Sequence, residues 1–327
     1  MPVHAFLFPG QGSQFVGMGR DLAAAFAPAR EVFEEIDEAL GEKLSKLMFF
    51  GPAEDLTLTE NAQPALMAMS LAVLRVLEKE GGFSLRDKAV LVAGHSLGEY
   101  AALAAAGSFG IAQTARLLRL RGREMQRAVP AGQGGMAALL GVELDQAREI
   151  CAAASVVPDE GFEAEAPARS EVIEVANDNG GGQVVISGAA GAVARAIEIA
   201  KARGVRRALP LPVSAPFHCS LMRPAADAMA EALERAEIAA PAVPVVANVS
   251  AAKVTEPSRI RASLVEQVCG TVRWRESVQA MVGMGVDSFV ELGAGKVLTG
   301  LNKRIAPDAA SHAAGTPDEI EALLKLL

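Results

Sequence analysis

Val90–Gly107 reads VLVAGHSLGEYAALAAAG. An apolar run of strand character stops at Gly94-His95-Ser96-Leu97-Gly98, and an Ala-rich helical stretch follows. The five residues fit G-x-S-x-G. In a strand-turn-helix setting this pattern puts a serine hydroxyl on a sharp turn, at the N-terminus of the next helix. Gly94 and Gly98 allow close backbone approach. The N–H of Leu97 can point where an oxyanion would form. The bland alternative for Ser96 is a helix cap between small residues. A serine hydroxyl needs a base to act as a nucleophile. The chain offers four histidines: His4, His95, His218 and His312. His4 opens an apolar strand, His312 sits in a polar tail, and His95 adjoins the serine on a turn where neighbours diverge. His218, in PVSAPFHCSLM with prolines fixing the approach, is the best candidate.

Working outward, HAFLFPG reads as a short buried strand. A helix is expected from about Ala24 to Leu40. Another is expected over TENAQPALMAMSLAVLRVLEKEG, with Thr59 as cap and Gly81 as stop. Strands alternating with helices predict an α/β fold with a parallel sheet and a site at the carboxyl ends of its strands. From Gly134 the rhythm changes to β-α-β-β-α-β: GGMAALLGV, ELDQAREICAAAS, EVIEVANDN, GQVVISG, AAGAVARAIEIAKARG and VRRALPLPV. That order is ferredoxin-like. The large-domain pattern resumes after Pro212. The expected fold is therefore an α/β-hydrolase-like large domain, 1–132 and 213–327, with an inserted ferredoxin-like domain at 133–212. The acidic VVPDEGFEAEAPARS, 156–170, reads as a solvated loop in that domain.

The bulk composition excludes several functions. The 327 residues carry a formal charge of −8 and only 4% aromatics, against bulk nucleic-acid binding and base-stacking platforms. The hydrophobic fraction of 51% supplies a large core, but no uncharged apolar run approaches a bilayer span. Cys151, Cys219 and Cys269 are scattered, with no disulfide framework or zinc motif. No signal peptide is recognised, so the expected setting is cytoplasmic.

Together these stretches resemble the malonyl-CoA:acyl carrier protein transacylase family. The resemblance runs through FPGQGSQFVGMG, GHSLGEYAAL, LLRLRGREMQRAVP, GGMAALLG, NDNGGGQVVISG, SAPFHCSLM, VANVSA and ELGAGKVLTGLNKRI, in order along almost the whole chain. It implies Ser96 as nucleophile and His218 as base, with the backbone carbonyl of Gln267 orienting the histidine. It implies the N–H groups of Gln11 and Leu97 as oxyanion donors, and Arg121 as the grip on the malonyl carboxylate. A guanidinium fork suits a carboxylate, although Arg121 by itself is one arginine among many in RLLRLRGREMQR. Phe217 resembles a residue that accompanies malonyl rather than branched units. Asn177 and Asn248 match polar positions lining the family's cleft, or are turn and strand-end residues. The 156–170 segment is longer than the family pattern leads one to expect.

The implied reaction is ping-pong transfer of malonyl from malonyl-CoA to the phosphopantetheine thiol of acyl carrier protein, supplying fatty-acid synthesis. No metal or redox cofactor is implied, and a monomer is expected. For an acidic carrier protein the candidate contacts are Arg116, Arg119, Arg123, Lys201, Arg203, Arg206 and Arg207, although a solvated helix face explains most of them equally well. Two competing readings are a lipase-type serine hydrolase, against which the chain has no HGGG-type motif, and a non-catalytic carrier-binding module.

Overall fold

The computed structural model describes residues 2–157 and 169–327. In chain order its strands are β1 (His4–Phe8), β2 (Ala89–Gly94), β3 (Gly134–Leu140), β4 (Ile173–Asp178), β5 (Gln183–Ala189), β6 (Arg207–Pro210), β7 (Val245–Ala247), β8 (Ala252–Val254), β9 (Ser288–Leu292) and β10 (Ala310–Ala314). They form two sheets. The larger has the order β10-β9-β1-β2-β7-β8. Its pairs are parallel except for the antiparallel pair β7–β8 at one edge.

All of β1 is buried, which is why HAFLF reads as a continuous apolar run and not an alternating one. Its alternate residues serve different cores. Phe6 and Phe8 pack in the cluster containing the helix Thr59–Gly81. Ala5 and Leu7 pack on the opposite face with Trp274, Met281 and Leu301. The helix Thr59–Gly81 is buried on nearly every side and packs against the helices Ala27–Leu40, Leu97–Ala105 and Ile111–Ala128. Gly122 permits one of these contacts: a Cβ there would lie 2.5 Å from Glu60 Cα.

The second sheet has the order β4-β5-β3-β6, antiparallel throughout. With one helix between β3 and β4 and another between β5 and β6, this is the ferredoxin-like arrangement. One face buries Ala137, Leu139, Val184 and Ile186 against the helices Leu144–Ser155 and Ala190–Ala202. The other face turns Met136, Ala138, Ala176 and Val185 into the core of the larger unit. The sheet of the inserted unit thus forms one wall of whatever lies between the two. We retain 133–212 as the proposed extent of that unit.

Several local expectations are corrected. The helix expected from Ala24 is two helices, Arg20–Ala25 and Ala27–Leu40, broken at an extended Phe26. Pro28 has no N–H to continue the first helix but is well placed to start the second. Thr59 does not cap its helix: Leu58 precedes the first turn, and Gly82, not Gly81, makes the left-handed stop. His312 is not in a tail. It lies on β10 opposite Val290, and the helix Pro317–Leu324 behind it buries Ile320 and Leu323. Val156 bridges Ser170 and the Val157 N–H donates to Arg169 O at the ends of the acidic stretch, whose residues 158–168 lie outside the described residues. Among the described residues no helix is long and apolar enough to cross a membrane.

Candidate active site

A cleft of about 430 Å³ lies between the two units. Gly10, Gln11, Ser96, Leu97, Arg121 and His218 line it from the larger unit, and Met136, Asn177, Gln183 and Val185 from the smaller. Ser96 stands where β2 ends and the helix Leu97–Ala105 begins, with φ 53° and ψ −113°. A non-glycine residue there is strained and persists only if its surroundings hold it. They do so through two glycines. A Cβ on Gly94 would sit 1.9 Å from Gly98 O, and one on Gly98 would sit 2.1 Å from Phe8 O. The Ser96 N–H donates to Asn248 Oδ1 at 2.8 Å, and Asn248 Nδ2 donates to Gly94 O at 2.7 Å.

His218 also has positive φ, 58°. Its Nε2 lies 2.7 Å from Ser96 Oγ, and its Nδ1 lies 2.9 Å from the carbonyl oxygen of Gln267. A carbonyl can only accept, so Nδ1 carries the proton and the Nε2 lone pair faces the serine. Burial, then the neighbouring Arg121 charge, pushes the His218 pKa down to about 3. The resting ring is therefore neutral, with its Nε2 lone pair open to the serine hydroxyl. His95 lines the same cleft but does not pair with the serine: its Nε2 lies 3.0 Å from Asn179 Oδ1 and 3.3 Å from Asn177 Nδ2.

Arg121 is 1% exposed. Its Nη1 donates to Gln63 Oε1 at 2.7 Å; its Nη2 donates to Gln267 Oε1 at 2.9 Å and to Ser96 Oγ at 3.2 Å. Its guanidinium lies 5.8 Å from the Tyr100 ring centroid. Burial pulls its pKa down, and Tyr100 and Glu99 push it back. Nε has no partner among the described residues. The guanidinium is thus held at both ends with donors left over, facing a cleft beside the serine.

The Gln11 and Leu97 N–H groups make no intramolecular hydrogen bond among the described residues, and both residues line the cleft. Gly10 lets the Gln11 loop approach the serine turn, because a Cβ there would be 2.7 Å from His95 O. Thr59, freed from capping, donates its hydroxyl to Gln11 Oε1 at 2.9 Å and accepts from Gln63 Nε2 at 2.9 Å. One chain of hydrogen bonds therefore joins Gln11 to Arg121 through Thr59 and Gln63.

Phe217 and Asn177 line the cleft. Asn248 does not. It is fully buried beneath the serine turn, where its side chain ties Ser96 to Gly94. Arg119 is withdrawn from the candidate carrier contacts, because it lies on the core side of its helix, 6% exposed, bonded to Glu42 and Asn61. Arg116, Arg123, Lys201 and Arg203 are exposed. Arg123, Lys201 and Arg203 pair with Glu60, Glu198 and Glu149, whereas Arg116 donates to Ala39 O. Among the described residues Arg206 and Arg207 form no ion pair. Sequence reading missed Gln63 and Glu99. Each is a polar residue inside an apolar helical run, a signal available without any structure.

A strained serine, a neutral histidine, two free N–H donors and a buried guanidinium form an acyl-transfer constellation. The chain belongs to the acyl transferase domain family, whose model matches residues 5–317. More particularly, it is 45% identical over 323 residues to the malonyl CoA-acyl carrier protein transacylase of Bacillus subtilis strain 168, covering 99% of this chain and 96% of that protein. The crystal structure of the acyl-carrier-protein-S-malonyltransferase of Bartonella henselae aligns with TM-score 0.92 and 52% identity over 99% of both chains. A malonyl-transacylase solved in complex with a type II PKS acyl-carrier protein aligns with TM-score 0.92 and 41% identity, over 99% of this chain and 100% of that one.

Proposed function

We propose that this protein transfers malonyl from malonyl-CoA to the phosphopantetheine thiol of an acyl carrier protein, through malonyl-Ser96, supplying extender units for fatty-acid synthesis. The observation that carries the reading is Arg121, a buried guanidinium 3.2 Å from Ser96 Oγ in the same cleft. A malonyl group has its free carboxylate two carbons from the thioester carbonyl, so the two recognition points must be close together. An acetyl group would leave the arginine's open donors unpaired in a buried site, which disfavours it.

The malonyl carboxylate is received by Arg121. Ser96 Oγ attacks the thioester carbon while His218 Nε2 takes its proton. The Gln11 and Leu97 N–H groups meet the oxyanion, each contributing about 3 kcal/mol. Collapse breaks the C–S bond, and His218 returns the proton to the departing CoA sulfur. The carrier thiol then gives its proton to His218 and attacks the malonyl ester. Collapse of the second tetrahedral intermediate breaks the ester C–O bond, and His218 reprotonates Ser96. The cycle consumes no redox equivalent and as written needs no metal or cofactor. A monomeric cytoplasmic enzyme belongs to the same reading, and light scattering in solution tests the monomer.

Mass spectrometry after mixing with malonyl-CoA is expected to show a malonyl adduct on Ser96 that persists until holo-carrier protein is added. Prompt release of free malonate without a carrier would mark a hydrolase. Arg121→Ala is expected to lower the malonyl-over-acetyl ratio of kcat/KM by at least about 100-fold. An unchanged ratio would remove the carboxylate assignment.

A further inference from the structure

Glu99 follows the serine by three residues, on the first turn of the helix Leu97–Ala105. It is 2% exposed, and the mechanism above does not use it. Its Oε2 accepts two hydrogen bonds, from the Asn248 backbone N–H at 3.0 Å and from Gln267 Nε2 at 2.7 Å. The other end of the same amide, Gln267 Oε1, accepts from Arg121 Nη2 at 2.9 Å. Gln267 Nε2 also reaches Ser96 O at 3.0 Å and Asn248 Oδ1 at 3.2 Å.

An amide has two unlike ends, and its neighbours choose between them. A guanidinium only donates. The Glu99 oxygen here only accepts. An amide lying between them satisfies both in one orientation alone, with NH₂ toward Glu99 and oxygen toward Arg121. Reversed, it would set donor against donor at Arg121 and acceptor against acceptor at Glu99. Protonation of Glu99 goes to Oε1, since Oε2 already takes two donors, so the acceptor survives near neutral pH.

We propose that Glu99 is a positioning residue for substrate selection: its carboxyl oxygen orients the Gln267 amide, and through that amide holds the Arg121 guanidinium beside Ser96. The inference rests on Arg121 receiving the malonyl carboxylate. Glu99 touches no substrate. Without it, the Gln267 NH₂ loses its shortest acceptor and keeps only Ser96 O and Asn248 Oδ1, at 3.0 and 3.2 Å, so the oxygen that Gln267 turns to the guanidinium is held less firmly.

The test measures kcat and KM for malonyl-CoA and acetyl-CoA in Glu99→Gln, Glu99→Ala and Arg121→Ala. The glutamine keeps an oxygen for both N–H donors and is expected to retain the malonyl-over-acetyl ratio within about threefold. Glu99→Ala is expected to lower the ratio about tenfold or more, through KM for malonyl-CoA, because the guanidinium is no longer placed. Equal losses on both substrates in Glu99→Ala would indicate a merely structural role and overturn the proposal. So would a glutamine variant as unselective as the alanine. Gln267→Met keeps the backbone carbonyl that orients His218 and removes only the amide. It is expected to show the same fall in ratio, and a retained ratio there overturns the proposal even if Glu99→Ala does not fold. If Arg121→Ala leaves the ratio intact, the carboxylate reading itself fails. If Arg121→Ala abolishes selectivity and Glu99→Ala does not, only the role of Glu99 fails.

Discussion

Ser96 and His218 share a feature that ordinary side chains avoid, a positive φ. Each is held there by partners far along the chain, Asn248 for Ser96 and Gln267 for His218. The protonation state of His218 follows from its surroundings. A histidine whose folded pKa is lowered from 6.5 to about 3 stays neutral as the pH falls through its ordinary range. The base form of the free enzyme is thus retained down to about pH 4. The single-turnover rate of malonyl-Ser96 formation is expected to stay flat from about pH 5 to 7. An acid limb centred near 6.5 would show that the ring is not shielded as described. Glu99 moves the other way: burial pushes its carboxyl up to about 7, against the pull of its hydrogen bonds and of Arg121. At this level the sequence pattern pointed to the serine and histidine, and the resemblance supplied Arg121 and Gln267. The Gln63 and Glu99 contacts were not found, because a polar residue in a helical run names no partner.

At the level of elements, the serine turn depends on two backbone approaches that tolerate no side chain. Gly94 against Gly98, and Gly98 against β1, are contacts between main-chain atoms, so neither partner can rotate away. Gly94→Ala is expected to destabilise the fold by about 3 kcal/mol and to abolish acylation. A thermal melt together with adduct formation checks both. A variant with wild-type stability and activity would mean that the turn relaxes freely. The pattern G-x-S-x-G carried this much without coordinates, since the glycines flank the serine at the spacing the turn needs. Element ends were harder to read. Thr59 has the chemistry of a cap, yet its hydroxyl serves Gln11 and Gln63 instead. A capping residue and a buried hydrogen-bond relay look alike in sequence, because both are small polar groups ahead of an apolar run.

Over the whole molecule, the cleft exists because one face of the smaller sheet lies opposite the turns that follow β1 and β2 in the larger unit. The β5 residue Gln183, which lines the cleft, pairs with Leu140, and Leu140 pairs with Arg207 on β6. Residues directly opposite in antiparallel strands share a face. Arg207 therefore stands on the cleft side of the smaller sheet, and the exposed Arg206 precedes it in the chain. Replacing both with glutamate is expected to raise KM for an acidic carrier protein about tenfold, with the salt dependence of transfer reduced. Formation of malonyl-Ser96 should be affected much less. Unchanged carrier kinetics would place the docking surface elsewhere.

Hydrophobic patterning and turn chemistry were sufficient for the parallel sheet, the inserted β-α-β-β-α-β unit and the nucleophilic turn. Each depends on residues close together in the chain, where periodicity and backbone sterics act directly. The β10 strand was not foreseen, because a short alternating edge strand has little pattern of its own and gains its identity by pairing with β9. The network from Gln11 through Thr59, Gln63, Arg121 and Gln267 to Glu99 spans positions 11 to 267. Hydrogen bonds between residues so distant form only once the core has brought their helices together. Packing therefore decided which arginine is buried beside the serine and which, like Arg119, is buried away from it against Glu42 and Asn61.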